Sequence, residues 1–390
     1  MKTNIFHLAK VRFKRYTPSD LVVDVIVFLL ASYFFTFIVL NVDTDIQSHN
    51  AVILSVQRGK TTLPAYFLYF LTMFAVGLFN GELWFLSMSS AMVLGLSTAA
   101  KLVVTRAFFI QTYQNILNDR NASTKTARLF SLLLLITFSV PTSTLYVGQL
   151  PPNVWHNSTM TFLMPFALAT FWLSYKQLIE PKSSRVVNIS VLCILGILAK
   201  PSFFLVFAIA YPLMLIRCFG FSRRLWQNLI PVLIGLATLA ILYHATYVSN
   251  SSGQGVYIAV RPFYLWSLCS SNIPYSLVGA QLFPIIYFLL YPKDIVKHIL
   301  LQYAVAAYFI ALSIFILLVE VGRELDGNFA WQALIYSYIL FLCVAILFAE
   351  KLERFGILNW KNAAILLAFL MHVVSGILYI LYIIYFRRYS

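Results

Sequence analysis

The sequence predicts an all-α, polytopic transmembrane protein of about 11–13 spans, folded as a single membrane domain over residues 1–390. Three observations predict it. Hydrophobic residues make up 61% and charged residues 11% of the 390, against about 45–50% and about 25% in soluble globules. The mean hydropathy of +0.83 is spread along the whole chain, which excludes a soluble domain carried on one anchor. Apolar runs approaching the roughly 20 residues that a helix needs to cross a bilayer recur from end to end.

The first residues, MKTNIFHLAKVRFKRYTPSD, are basic and amphipathic, with Phe6, Leu8, Val11 and Phe13 interleaved among Lys2, Lys10, Arg12, Lys14 and Arg15. The run 21–40 behind them exceeds the roughly 7–15 residues of a signal-peptide core and is followed by no small-residue cleavage site, so it reads as a retained first span. Further runs at 63–79, 83–104, 129–147, 160–175, 187–199, 202–216, 229–246, 274–291, 299–319, 333–349 and 362–386 bring the working count to twelve. Between 187 and 216 the apolar sequence continues through Lys200-Pro201. Proline disfavours helix at the residue before it, which predicts two short helices joined by a turn near one face. Cys193, Cys218, Cys269 and Cys343 are scattered with no CxxC pair, so neither a disulfide framework nor a zinc site is indicated.

Lysine and arginine bias sets orientation. Segments 1–20, 105–128, 176–186, 217–228, 292–298 and 350–361 hold 20 of the 28 basic residues, which assigns them to the cytosol. The complementary loops 42–62, 148–159, 247–273 and 320–332 then face outward with only Arg58, Lys60, Arg261 and Arg323. One conflict follows from this count. Three spans before residue 105 leave 105–128 outside, although Arg106, Arg120, Lys125 and Arg128 argue for inside. Either 63–79 does not cross fully, or 83–117 crosses twice with Lys101 and Arg106 snorkelling. Arg387 and Arg388 likewise fall outside in a twelve-span count. The net charge of +15 forms no long basic face or arm, so it marks topology and contact with anionic membrane lipids rather than nucleic acid.

The outer loops carry the distinctive polar chemistry. Asp43 and Asp45 lie just beyond the first span, and a helix beginning near Thr44 puts Asp45 and His49 four residues apart on one face of a short interfacial helix over 45–58. A helix cap at Asp43 and a solvated charge at Asp45 are the plain alternatives. Two acids and a histidine within seven residues at a membrane boundary favour function. Walker, GxSxG, HExxH and EF-hand motifs are absent, which removes support for ATP-driven transport, serine hydrolysis and zinc proteolysis.

An acidic motif directly after the first span, in a first outer loop continuing into a histidine and an interfacial helix, resembles the GT-C superfamily of integral membrane glycosyltransferases. Three further segments carry the resemblance. VGQLPPNVWHNSTMTFLMPFAL from Val147 looks like the WHNPT-type signature of uncharacterised bacterial GT-C-like proteins, with Ser158 in the place of Pro. LAKPSFFLVF from Leu198 resembles their Lys-Pro-Ser turn. VEVGRELDGNFAWQ from Val319 matches their Glu…Arg…Gly-Asn-Phe-x-Trp pattern through Glu320, Arg323, Gly327, Asn328, Phe329 and Trp331.

The resemblance implies a GT-C-like fold and transfer of a sugar from a polyprenyl-phosphate-linked donor to a lipid-linked or cell-surface glycan acceptor. It places the chain in a bacterial cytoplasmic (inner) membrane with its active site facing outward. An acid of the first outer loop would act as base, Asp43 first, with Asp45 as its alternate or as an acceptor-binding acid. Glycosyl transfer also needs cations or donors at the leaving phosphate, for which His49, His156, Lys200, Arg261 and Arg323 are the outer-side candidates. Trp155, Asn157, Glu320, Asn328 and Trp331 are candidates to bind sugar or acceptor, while Trp266 and Tyr257 also suit an interfacial belt. No metal ligands are assigned, and a divalent cation is compatible but not indicated. The stretch from Ser249 has the Gly and Ser content of a loop that closes over a ligand. Two other classes fit the same composition: a flippase or transporter for lipid-linked oligosaccharide, and a glycan polymerase.

Overall fold

The computed structural model describes residues 16–60, 66–77, 82–119, 124–140, 146–244 and 257–388. The amphipathic segment before Tyr16 and the Gly/Ser stretch 249–256 lie outside the described residues.

Thr17 starts the first helix, α1 (Pro18–Asn41), through a capping box with Asp20, and Pro18 occupies the first turn, where no N–H is needed. A second capping box, Thr44 with Gln47, opens α2 (Asp45–Gln57). Gln47 also donates to the carbonyl of Val39 at 2.8 Å, which locks the turn between the two helices. α3 (Phe67–Val76) has 10 residues, about 15 Å of helix against a bilayer core of about 30 Å. The described part of the expected span 63–79 is therefore too short to cross by itself, while residues 63–65, 78 and 79 lie outside the described residues.

α4 (Leu83–Leu117) returns as one unbroken helix of 35 residues. It packs antiparallel on α1, and Gly95 lets the two backbones approach: a Cβ there would stand 2.1 Å from Ser32 Oγ. Ser89, Ser90, Ser97 and Thr98 return their hydroxyls to carbonyls one turn back, so α4 carries polar residues through the bundle at little cost. Lys101 and Arg106 do not snorkel. Lys101 is buried and donates to Asn153 Oδ1 at 2.5 Å, over the ring of Tyr338, while Arg106 pairs with Asp24 at 2.6 Å.

The expected span 129–147 is also replaced. α5 (Lys125–Leu134) ends after 10 residues, and the described chain is irregular over 135–140 and, after the short helix α6 (Tyr146–Gln149), again over 150–157; residues 141–145 of the expected span lie outside the described residues. Irregular backbone survives within a membrane bundle only where its polar groups are satisfied. Here Asn153 donates to the carbonyls of Leu134 and Thr137 at 2.8 and 2.7 Å. His372 and Ser375 bond the carbonyls of Phe138 and Ser139 at 2.6 and 2.5 Å.

The remaining elements are α7 (Ser158–Ile179), α8 (Ser183–Ala199), α9 (Ser202–Phe219), α10 (Arg223–Tyr243), β1 (Tyr257–Val260), α11 (Tyr264–Cys269), α12 (Ile273–Leu290), α13 (Lys293–Lys297), α14 (Ile299–Leu317), β2 (Leu318–Val321), a 3₁₀ turn (Glu324–Asp326), α15 (Trp331–Phe355) and α16 (Trp360–Phe386). The protein is all-α apart from β1 and β2, the only strands among the described residues, which pair antiparallel with Ile258 opposite Glu320.

Among the described residues eight helices, α1, α4, α9, α10, α12, α14, α15 and α16, are long and apolar enough to cross a membrane, and they fit an integral multi-pass membrane protein. α3 and α5 are too short to join them, while α7 and α8 run between the same two ends of the bundle but α8 has 17 residues and α7 dilutes its apolar run with Ser158, Thr159, Thr161, Thr170 and Ser174. The apolar stretch of α15 is 100% buried and that of α1 only 22%. α15 is thus the central helix, while α1 presents Leu21, Leu29, Leu30 and Tyr33 outward.

Charged groups collect at one end of the bundle. Asp20 pairs there with Arg128 at 2.8 Å, Lys351 with Asp294 at 2.9 Å, and Lys176 donates to Gln111 at 2.9 Å. The opposite end holds α2, the start of α7, the turn between α8 and α9, and the β1–β2 ribbon.

Candidate functional site

Three separate stretches of chain converge at this second end. Capping geometry places the first: with Thr44 as N-cap, Asp45 and His49 project from the first two turns of α2. Asn157 places the second, because its side-chain carbonyl accepts from the N–H of Met160 at 2.9 Å and so starts α7. Pro201 places the third. α8 stops at Ala199, Lys200 is extended, and α9 resumes at Ser202.

The contacts join these stretches through Asn157. Its Nδ2 donates to Asp45 Oδ2 at 2.6 Å. Lys200 Nζ donates to Asn157 Oδ1 at 3.3 Å and to Thr159 Oγ1 at 3.1 Å, and lies 4.6 Å from the centre of the Trp331 ring. Acid and cation are therefore held near each other by an amide rather than as a direct ion pair. Asp45 Oδ1 accepts no hydrogen bond among the described residues.

His49 Nδ1 lies 2.5 Å from Ser158 Oγ, and its ring sits 5.2 Å from that of Tyr66 and 6.1 Å from that of Phe70. Ser158 is the first residue of α7, a position where proline is favoured because its missing N–H has no helical partner. Serine there preserves the helix start and adds a hydroxyl for His49. His156, 2% exposed, packs 6.4 Å from the Trp331 ring.

Burial dominates the electrostatics. It raises the Asp45 carboxyl above the ordinary carboxylate range, the Asn157 hydrogen bond and Lys200 act downward, and Asp326 adds to the rise. Burial lowers Lys200 to about 8, with the charge of Asp45 opposing. His49 and His156 are both pushed down to about 3 by burial, with Lys200 adding to the shift, so both rings are neutral near pH 7.

The sequence-predicted residues divide accordingly. Asp45, His49, His156, Asn157, Lys200 and Trp331 come together. Asp43 is exposed on the turn before α2. Arg261 and Arg323 are exposed beside the ribbon, Arg261 against the Tyr264 ring at 5.3 Å. Glu320 bonds Asn328. Trp155 stacks instead with Phe138 and Tyr379, at 6.0 and 5.9 Å. Trp266 is 1% exposed and donates to the carbonyl of Gly148, so it belongs to the core rather than to an interfacial belt. Ser158, Thr159 and Asp326 join the site without having been candidates. The Asn-Ser-Thr sequence before an apolar run is a helix-start signal, and it is the feature from which the first two were accessible.

Among the described residues no group of three or more His, Cys, Asp or Glu is placed to hold a metal ion, and all four cysteines are free. No known family model matches the sequence, and no curated protein is significantly similar to it.

Proposed function

We propose that this chain is a GT-C-like membrane glycosyltransferase that moves a sugar from a polyprenyl-phosphate-linked donor to a lipid-linked or cell-surface glycan acceptor. The observation that carries the reading is the Asp45–Asn157–Lys200 array, in which one carboxylate oxygen is fixed by the amide and the other is open. Asp45 is the base. Its open oxygen takes the proton of an acceptor hydroxyl as that oxygen attacks the anomeric carbon, and the bond from that carbon to the lipid phosphate breaks with its electron pair leaving on phosphate. A raised carboxyl suits this role better than an ordinary one, since base strength rises with pKa.

Lys200, backed by the Trp331 face, supplies positive charge to the leaving phosphate. Arg261 and Arg323, exposed at the same end, are suited to meeting the donor's phosphate as it arrives, in the bidentate manner that arginine permits. On this reading the site faces outward from a bacterial cytoplasmic membrane, with the charge-rich end in the cytosol, as the distribution of basic residues implies.

The test is reconstitution of the purified protein with short-chain polyprenyl-phosphate sugars, following release of polyprenyl phosphate. Asp45→Asn is expected to abolish release while leaving expression intact, and full activity in that variant sinks the assignment. Asp43→Asn in parallel decides between the two acids of the loop. A flippase for lipid-linked oligosaccharide draws on a different observation, the buried Lys101–Asn153 contact inside the bundle. It predicts lipid movement with no donor consumed.

A further inference from the structure

A groove of about 670 Å³ opens between α8 and α10 from the charge-rich end, within the roughly 300–1,000 Å³ typical of ligand sites. Its mouth carries Lys182 and Arg224, its floor the buried pair Gln177–Asn228, whose side chains bond at 2.6 Å, and its deeper walls Val191 and Ile234. Lys182 is paired with Glu180 at 2.6 Å, while Arg224 is exposed and has no ion pair among the described residues, so the mouth is net positive. Val191 is 49% and Ile234 36% exposed, which opens the walls sideways toward lipid rather than into the bundle.

The dimensions select the occupant. From Lys182 to Ile194, the deepest residue on α8, is about 18 Å of helix, close to half of a hydrocarbon core about 30 Å thick plus the headgroup level. A polar, cationic mouth above an apolar slot one leaflet deep has the chemistry of a single phospholipid. We propose that the α8–α10 groove binds one anionic phospholipid, its phosphate on Arg224 and Lys182 and one acyl chain along Val191 and Ile234. This proposal requires only that the chain resides in a membrane and is independent of the glycosyltransferase reading.

The experiment is native mass spectrometry of the full chain in detergent with equal amounts of phosphatidylglycerol and phosphatidylcholine of matched acyl chains. One phosphatidylglycerol per chain is expected to be retained preferentially. The double variant Lys182→Ser, Arg224→Ser is expected to lose that preference by roughly tenfold or more, from about 1 kcal/mol per basic residue at a membrane surface. Val191→Trp, which keeps both cations and fills the slot, is expected to lower retention of both lipids, and inorganic phosphate is expected not to displace the bound lipid. Equal retention of the two lipids, or unchanged retention in the variants, overturns the proposal. Displacement by an equimolar short-chain polyprenyl phosphate overturns the choice of occupant.

Discussion

Asn157 and Asp45 stand 112 positions apart in the chain and meet through a 2.6 Å hydrogen bond from amide to carboxylate. The other half of the same amide accepts from Met160 N–H and from Lys200 Nζ. One side chain thus fixes where α7 begins and how far the acid stands from the cation. Serine also caps helices well but is too short to bridge both partners. Asn157→Ser is expected to keep its thermal midpoint in detergent and to lose roughly 100-fold in sugar transfer, the scale of a small misplacement of reacting groups. A variant as active as the parent removes the bridge from the mechanism.

On the proposed reading, Lys200 sets an alkaline limit on sugar transfer. Burial brings its pKa down to about 8, so the ammonium that serves the leaving phosphate disappears as pH rises through that value. The acid limb belongs to Asp45, which must be ionised and whose raised pKa moves that limb upward. Arginine does not deprotonate in this range. Lys200→Arg, although slower, is expected to lose the alkaline fall in a rate profile taken from pH 6 to pH 10. An unchanged fall assigns it to another group.

The local features of this architecture are legible in the sequence and the long-range ones are not. Thr44 and Gln47 mark the start of α2, and Lys200-Pro201 marks the turn between α8 and α9, because caps and prolines act within a few residues. Asp43 and Asp45 lie two residues apart beyond the first span, and it is the fold that separates them, leaving Asp43 exposed and bringing Asn157 onto Asp45. The irregular chain after Leu134 reads as a span because its residues are apolar. What makes it irregular is His372 and Ser375, more than 230 positions away, which satisfy its carbonyls. Arg106 is likewise a topological signal by sequence and a buried ion-pair member in the fold, since its partner Asp24 lies 82 positions earlier.

The two buried imidazoles at the site set an acid stability limit. Both are held neutral down to about pH 3, whereas an unfolded histidine titrates near 6.5. Below about pH 6.5 the unfolded chain therefore takes up protons that the folded chain refuses. Their contribution to stability is complete above that pH and falls as pH drops toward 3, by up to about 1.4 kcal/mol per pH unit for each ring. His156→Gln is expected to flatten the decline of the thermal midpoint between pH 6.5 and pH 5. An identical decline in the variant assigns the acid sensitivity to other groups.

Arg106 anchors the opposite end. Its guanidinium, 5% exposed, contacts Asp24 at 2.6 Å and Asp20 at 3.7 Å, while Arg128, 28% exposed, reaches Asp20 from the rim. Arg106→Leu leaves Asp24 buried without its cation and is expected to cost about 3–5 kcal/mol. Arg128→Leu leaves Asp20 still facing Arg106 and is expected to cost about 1 kcal/mol, as for a partly exposed pair. Denaturation of the two variants in detergent measures the difference. Equal losses place the main support of this end elsewhere.

Two helix glycines make opposite predictions about adding one methyl group. In α16, a Cβ on Gly376 would lie 1.5 Å from the carbonyl oxygen of Ile136 and 2.7 Å from its carbon, both backbone atoms of the irregular segment after α5. That segment has no freedom to retreat, since Ser375 and His372 hold the carbonyls of its neighbours from the same helix. Gly376→Ala must therefore push α16 away and break those hydrogen bonds. It is expected to cost several kcal/mol, combining overpacking of about 1–3 kcal/mol with buried carbonyls left unsatisfied at about 1–3 kcal/mol each. In α8, a Cβ on Gly196 would meet only Leu163 Cδ1, at 3.6 Å, an ordinary contact. Gly196→Ala is expected to be neutral or to stabilise by up to about 1 kcal/mol, the usual difference between glycine and alanine inside a helix. Thermal midpoints of the two variants test the packing of α16 on the broken span directly, and a tolerated Gly376→Ala would mean that the two do not touch as described.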